Sequence, residues 1–167
     1  MENIKTKNNL KDFLPLISII TVIIIFTIYM LSTAANPDLM YGMRMFMSGF
    51  FIIFGAFKLV RWKGFVMAYK KYDLLAKKST IYAYMYPLIE IGLGLAYFFA
   101  FNLLFTNIIT LIIMIIGSYG VWLKIREKEE IPCACLGVVF KLPMTKVTLF
   151  EDLLMAIMAI VMIITLV

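Results

Sequence analysis

The sequence contains no histidine, which excludes every mechanism that needs an imidazole, from Ser-His-Asp hydrolysis to catalytic zinc held by histidine. Charged residues are also scarce, at 16% of the chain against about 25% in ordinary soluble domains. Hydrophobic residues fill the difference, at 63% against roughly 45–50%. The composition therefore excludes a soluble fold, and the absence of histidine removes most enzyme classes.

Acidic residues are outnumbered by basic ones, which gives the chain a net charge of +6. The basic residues are confined to short segments between long apolar runs. This distribution is typical of membrane proteins and not of nucleic-acid-binding surfaces. We therefore expect the lipid bilayer as a partner and no nucleic acid.

The long apolar runs predict the fold. A bilayer core about 30 Å thick needs about 20 apolar residues in a helix, and inside lipid only helices bond their own backbone within one segment. No internal repeat or low-complexity linker divides the chain, so we expect one all-α transmembrane domain over residues 1–167. The predicted spans are residues 14–33, 40–60, 81–101, 108–123 and 149–167, with a polar turn at 102–107.

Lysine and arginine predict the orientation, because positive charge near span ends is retained on the cytoplasmic side. Fifteen of the 16 basic residues lie before span one, between spans two and three, or between spans four and five, and only Arg44 lies on the other side. We therefore expect a multi-pass protein of the inner (cytoplasmic) membrane with its N-terminus cytoplasmic and its C-terminus outside.

The first span could also be a cleaved signal peptide, with Thr33-Ala34-Ala35 as a small-residue cleavage site. Its apolar run of about 20 residues exceeds the usual 7–15 of such a peptide. This length favours a retained helix.

Residues 62–79 have aromatic and apolar residues at helical spacing, with Lys63, Lys70 and Lys77 recurring every seven residues. This pattern predicts an amphipathic helix in the headgroup layer. Such a helix could be an orientation anchor or a lid over a site between the spans.

Glu90 is the one acid deep in the third span, and an intramembrane carboxylate is a functional hypothesis by default. Lys58 at the inner end of span two is the best candidate for its partner, and Arg61 is the second candidate. Tyr86 and Tyr97 lie close to the same helical face as Glu90 and could hydrogen-bond it. The pair could form a proton or quinone site, or it could simply fix helix register.

The same span carries two packing signals. Pro87 predicts a kink and a freed backbone carbonyl. Gly92, Ala96 and Ala100 recur every four residues and predict the face on which another helix approaches closely.

Cys133 and Cys135, the only two cysteines, are bracketed by Pro132 and Gly137, which predict a turn. A disulfide between them would close a very small, strained ring, and a strained disulfide is labile and suits exchange. The two thiolates could instead bind one soft ion such as Cu(I), whereas zinc would need further ligands that the chain lacks. They could also be loop cysteines without a function.

Over residues 40–167 the chain resembles the MauE family of methylamine-utilisation membrane proteins, within the wider DoxX-like group. The matching stretches are FGAFKL at 54–59, YKKYDL at 69–74, YPLIEIG at 86–92, CACLG at 133–137 and LFEDL at 149–153. Leu136 stands where the family commonly has an aromatic residue, and the span at 14–33 precedes the shared four-helix bundle.

The resemblance implies a redox-associated membrane protein. MauE members act beside a thioredoxin-like partner in the maturation of a disulfide-rich client, as in methylamine dehydrogenase biogenesis, and DoxX relatives are tied to quinone-linked sulfur oxidation. By that analogy Cys133 and Cys135 would be the exchange pair, Lys58 and Glu90 would lie at an intramembrane site, and a quinone is a compatible cofactor.

Three functions remain open from the sequence: a thiol-disulfide or quinone-linked redox protein, a soft-metal-ion carrier or chaperone using the cysteine pair, and a non-catalytic assembly scaffold. The charge pattern puts both cysteines on the cytoplasmic side, where thiols are kept reduced, whereas the implied client folds outside. A relay across about 30 Å of membrane would therefore need a quinone or a second protein.

Overall fold

The computed structural model describes residues 14–127 and 145–166, with side chains for 14–127 and 148–166, and every regular element in these ranges is a helix. Five of the helices are long and apolar enough to cross a membrane, so the chain is an all-α integral membrane protein. The helices are α1 (Leu14–Thr33), α2 (Leu39–Val60), α3 (Trp62–Tyr69), α4 (Leu74–Lys78), α5 (Thr80–Phe98), α6 (Leu103–Arg126) and α7 (Thr145–Leu166).

The helix starts are set by short polar side chains that accept a backbone N–H, as N-cap residues do. Asp38 Oδ1 accepts from the Tyr41 N–H at 2.6 Å at the start of α2, and Ser79 Oγ accepts from Tyr82 at 3.3 Å at the start of α5. Asn102 caps α6 from the left-handed region, with φ of 33°, a conformation that asparagine tolerates.

The turn between α5 and α6 differs from the prediction. It lies at residues 99–102, whereas the sequence placed it at 102–107. The polar residues that suggested a turn are buried within α6: Thr106 donates to the Phe101 carbonyl at 2.9 Å, and the Asn107 amide donates to the Leu103 carbonyl at 2.7 Å. Their side chains are satisfied inside the bundle, so the helix starts earlier than hydropathy indicates.

The segment predicted as one interfacial helix at 62–79 is two short helices, α3 and α4, separated at residues 70–73. Its aromatic face is buried against the bundle rather than presented to lipid, since Phe65 and Tyr69 are 1% and 3% exposed. Lys63, Lys71, Lys77 and Lys78 are on the exposed side. Both short helices contact the spans, α3 on α2 and α5 and α4 on α5 and α6.

The spans pack most extensively as α6 against α7 and α2 against α5, with α1 against α2. A core of phenylalanine, methionine and aliphatic side chains fills the bundle. A second core, rich in tyrosine, lies where α2 and α6 end and α5 and α7 begin, beneath α3 and α4. We call this the basic end, because the exposed lysines of α3 and α4 lie there.

The close approach of α2 and α5 uses glycines other than those predicted. A Cβ at Gly94 would lie 2.7 Å from Ile52 Cγ1 and 3.0 Å from its backbone nitrogen. Beside it, Ser48 Oγ donates to the Gly94 carbonyl at 2.8 Å. Gly92 has no atom within 4 Å of an added Cβ, so the predicted contact stripe of Gly92, Ala96 and Ala100 is wrong.

Candidate functional site

Lys58 and Glu90 form a buried ion pair between α2 and α5, in which Lys58 Nζ donates to Glu90 Oε1. The two residues are 6% and 2% exposed. Gly55, one turn before Lys58, makes this close approach of α2 and α5 possible because it has no side chain. A Cβ at Gly55 would lie 3.2 Å from the Pro87 carbonyl oxygen and 3.4 Å from Glu90 Cβ. Burying two charges is favourable only when each is well paired, so this contact defines the centre of the site.

Two aromatic rings complete the surroundings of the lysine. Lys58 Nζ lies 5.0 Å from the ring centroid of Tyr86 on α5 and 5.6 Å from that of Phe65 on α3. Both distances are typical of cation–π contacts, which are stronger where water is excluded. The ammonium group is therefore held by a carboxylate and by the faces of two rings.

Four tyrosines pack against one another beside the ion pair. We call Tyr69, Tyr72, Tyr82 and Tyr86 the tyrosine cluster. Tyr69 is central: its ring centroid lies 4.5 Å from Tyr86, 5.5 Å from Tyr72 and 6.4 Å from Tyr82. These separations are those of aromatic pairs in protein cores. The cluster attaches α3 and the segment after it to α5.

Asp73 follows the tyrosine cluster in the break between α3 and α4, with no exposed surface. Its Oδ1 accepts from the backbone N–H groups of Leu75 at 2.9 Å and Ala76 at 2.7 Å, and so caps α4. Gly120 on α6 lets this segment approach, because a Cβ there would lie 2.5 Å from the Tyr72 carbonyl oxygen.

Burial shifts two groups of this segment toward their neutral forms. Loss of hydration raises the pKa of the Asp73 carboxyl above 3.8, against the lowering effect of the backbone hydrogen bonds from Ala76 and Leu75, of the nearby Tyr69 hydroxyl and of the Lys77 charge. Burial also raises the pKa of Tyr69, and the nearby phenols and Asp73 add to that rise.

Acidic side chains of α7 lie against the same end of the bundle. Asp152 Oδ2 would be 3.1 Å from a Cβ on Gly117 of α6, and its charge acts on Tyr86. Glu151, its neighbour, is 7% exposed. The site thus has contributions from α2, α3, α5 and α7, and α6 provides close contact through glycine.

Three buried polar atoms of the site have no hydrogen-bond partner among the described residues: Tyr69 Oη, Asp73 Oδ2 and Glu90 Oε2. Buried polar groups in proteins are nearly always bonded. Unpaired ones each cost about 1–3 kcal/mol, so packing alone gives no reason for this set.

The structure brings together three of the residues singled out from the sequence, Lys58, Glu90 and Tyr86. Arg61 has an exposed side chain at the start of α3 and does not contact Glu90. Tyr97 lies farther along α5, where its hydroxyl donates to Asn107 Oδ1 at 2.8 Å and lies 3.0 Å from Thr110 Oγ1.

Cys133 and Cys135 lie outside the described residues, as does the turn predicted around them. Within the described ranges, no group of three or more His, Cys, Asp or Glu side chains could hold a metal ion.

A quinone beside the ion pair would need a cavity lined by the residues around it. One cavity of about 210 Å³ lies between α1 and α2, and another of about 230 Å³ lies beside Arg44 at the opposite end. Neither is lined by Lys58, Glu90 or the tyrosine cluster. Both cavities are therefore separate from the ion pair.

Sequence reasoning missed Tyr69, Asp73 and Asp152 as site residues. One signal was available for Asp73, which is the only acid within the lysine-rich stretch 62–79. Asp152 is likewise one of only two acids in α7. Tyr69 lies with Asp73 in the family-matching stretch YKKYDL, but its contact with Tyr86 depends on how α3 is placed over α5.

Together, these features define an all-helical, multi-pass membrane protein with a buried ion pair beneath a tyrosine-rich cover. The chain belongs to the MauE family: the model of methylamine utilisation protein MauE matches residues 36–165. The match contains the ion pair and both cysteines, whereas α1 precedes it. No curated protein and no solved structure matches the chain.

Proposed function

We propose that this MauE-family protein supports the redox maturation of a partner protein in methylamine utilisation, by thiol–disulfide exchange at Cys133 and Cys135. One observation carries the proposal: α6 ends and α7 begins at the same end of the bundle as the Lys58–Glu90 pair, and both cysteines lie between these two helices in the sequence. Ile125 near the end of α6 and Leu149 near the start of α7 pack against the tyrosine-rich second core.

The exchange is a balanced two-electron step. A thiolate of the pair attacks a disulfide of a thioredoxin-like partner, and one partner sulfur leaves as a thiolate. The second cysteine then attacks the mixed disulfide, which leaves a Cys133–Cys135 disulfide and a partner dithiol. Two electrons and two protons pass from this protein to the partner, and the reverse sequence reduces the pair again.

The proposal includes an orientation. The basic end, with the lysines of α3 and α4, faces the cytoplasm of the inner membrane, because lysine-rich segments are retained there. The cysteines then take electrons from or give electrons to a cytoplasmic partner. A quinone or a second membrane protein carries the electrons to a client on the other side, since one cysteine pair cannot span about 30 Å.

Membrane-impermeant maleimide tests both parts of the proposal. Labelling is compared in intact cells and in inverted vesicles, with and without prior reduction, using wild type and the Cys133→Ser/Cys135→Ser variant as the unlabelled control. We expect labelling only in inverted vesicles, stronger after reduction. The same double variant is expected to leave the client immature while remaining in the membrane at the wild-type amount.

Labelling from outside intact cells would show that the orientation is wrong. Thiols that are free under all conditions, with full client maturation by the double serine variant, would overturn the redox function. Thiols that stay reduced but bind Cu(I) tightly would instead favour the soft-metal carrier.

A further inference from the structure

Buried side chains that carry oxygen atoms form a row from the ion pair into the basic end. The Tyr86 hydroxyl lies close enough to Glu90 to act on its carboxylate. The rings of Tyr69 and Tyr86 are 4.5 Å apart, and those of Tyr82 and Tyr86 are 6.0 Å apart. The Tyr69 hydroxyl in turn lies close enough to act on Tyr82 and on Asp73. The row begins at Glu90 and ends at Asp73.

The unpartnered atoms occupy the two ends and the middle of this row. Glu90 Oε2 and Asp73 Oδ2 are free acceptors at the ends, and Tyr69 Oη lies between them. Tyr69 is 3% exposed, so its side chain is shielded from bulk water. A proton transfer needs an acceptor at each end and hydroxyls between them that can rotate.

Asp73 is suited to exchange protons with water because its chain neighbours reach the surface. Lys71, Leu75 and Lys77 are exposed, whereas Asp73 is fully covered. Asp73 Oδ1 caps α4, whereas Asp73 Oδ2 has no hydrogen-bond partner among the described residues. Oδ2 can therefore bind a proton while Oδ1 keeps the helix cap.

We propose that Asp73 is the group through which the buried Glu90–Lys58 pair exchanges protons with water at the basic end, by way of the tyrosine hydroxyls. In one transfer the Asp73 carboxyl gives its proton to the Tyr69 oxygen. The Tyr69 proton passes to Tyr86, either directly or through Tyr82, which takes up one proton and gives its own to Tyr86. The Tyr86 proton then passes to Glu90 Oε2. Glu90 gains one proton, Asp73 loses one and regains it from water, and no electron moves.

The surroundings of Glu90 allow it to become neutral. Lys58 keeps two ring faces, those of Tyr86 and Phe65, when the carboxylate charge is lost, and such contacts are stabilising where water is excluded. The site is therefore able to hold the lysine cation after the carboxylate has taken up a proton.

Titratable groups from each packed element act on this row. The groups near Asp73 are Tyr69, Tyr72, Tyr82 and Lys77. The groups near Glu90 are Lys58, Tyr82 and Tyr86. From α7, Asp152 acts on Tyr86. At its two close contacts with this region, α6 presents Gly117 and Gly120, which do not titrate.

The proposal is tested on the purified full-length protein in liposomes, by time-resolved infrared spectroscopy of protonated carboxyl groups after a jump to acidic pH. Glu90→Gln identifies the Glu90 band by removing it. We expect Asp73→Asn, Tyr69→Phe and Tyr86→Phe to slow the appearance of this band about tenfold or more, as expected on removing a proton-transfer group. Tyr84→Phe is the matched control, because Tyr84 lies on α5 like Tyr86 but is exposed. It should keep the wild-type rate.

These variants preserve packing, since asparagine also caps helices and phenylalanine keeps each ring. A thermal melt confirms folding, and if Asp73→Asn unfolds, Tyr69→Phe decides. Wild-type rates in both variants would overturn the proposal, as would the absence of any Glu90-dependent band at acidic pH. The Cys133→Ser/Cys135→Ser variant should keep the wild-type rate, so failure of thiol exchange is distinguishable from failure of this proton path.

Discussion

Two buried polar clusters lie about two turns apart on α5, and they are built differently. The cluster at Tyr97 is neutral and its groups are matched: the phenol donates to Asn107, and the Asn107 amide donates to the Leu103 carbonyl. The cluster at Glu90 is charged. Three of its atoms lack hydrogen-bond partners among the described residues: one carboxylate oxygen of Glu90, one of Asp73, and the Tyr69 hydroxyl.

The difference separates a structural role from a functional one. A neutral, matched network joins α5 to α6, and in an apolar setting such hydrogen bonds hold helices together. A buried ion pair is weak evidence for stability, since well-packed apolar residues often do as well. We therefore propose that the Tyr97 cluster serves folding and the Glu90 cluster serves function.

The largest expected effect comes from removing one charge of the ion pair. Lys58→Met leaves the Glu90 carboxylate buried without its ammonium partner, and such losses reach about 3–5 kcal/mol. The double variant Lys58→Met/Glu90→Leu should recover most of that free energy of unfolding, measured by denaturation in detergent.

The double variant also tests the functional assignment. We expect it to be folded but unable to support client maturation, measured in cells at matched protein levels. Maturation at the wild-type level would show that the pair only fixes helix register, and the contrast between the two clusters would then be lost.

A second prediction concerns the contact that holds α2 against α5 between the clusters. Gly94→Ala places a methyl group against Ile52 and should destabilise the fold by about 1–3 kcal/mol, the usual range for overpacking. Gly92→Ala meets no atom within 4 Å and should leave the fold unchanged or stabilise it by up to about 1 kcal/mol, because alanine favours a helix over glycine. Equal effects in thermal melts would show that the α2–α5 contact does not depend on Gly94.

These two glycines show where the sequence was informative and where it was not. Hydropathy predicted five spans and the sequence suggested the Lys58–Glu90 pair, because a charge in an apolar run needs an opposite charge within reach. It could not show which small residues face a neighbouring helix. Gly92, Gly94 and Ala96 lie on different sides of α5, and the rotation of α5 about its own axis decides which side meets α2. Helix rotation is set by tertiary packing.

The site was predictable only in part for the same reason. Asp73 and Tyr69 lie in a lysine-rich stretch whose aromatic face could cover either lipid or protein, and its amphipathic pattern is the same in both cases. The structure places that face on the ion pair. The break at residues 70–73, where Asp73 starts a new helix, has no signal in the aromatic spacing.

A third prediction concerns the neutral cluster. Tyr97→Phe removes one donor and leaves Asn107 Oδ1 without the phenol, which should cost about 1 kcal/mol of the free energy of unfolding. Client maturation per folded molecule should be unchanged. A loss of maturation larger than the loss of folded protein would give the Tyr97 cluster a functional role and weaken the comparison.

The smallest expected effect is a pH dependence confined to the charged cluster. Burial raises the pKa of Asp73 above 3.8, so the folded state binds this proton more tightly than the unfolded state does. The contribution of Asp73 to stability is therefore best at acidic pH. It falls as the pH rises from about 3.8 through the raised pKa, where the buried carboxyl must ionise.

Asp73→Asn should remove this slope while keeping the α4 cap, so the difference in melting temperature between the variant and wild type should grow as the pH rises through that range. Tyr97→Phe, which changes no group that titrates in this range, should follow the wild-type curve at a constant offset. Parallel curves for Asp73→Asn and wild type would mean that Asp73 holds its proton no more tightly in the folded protein. The charged cluster would then lack the buried proton-binding acid that separates it from the neutral one.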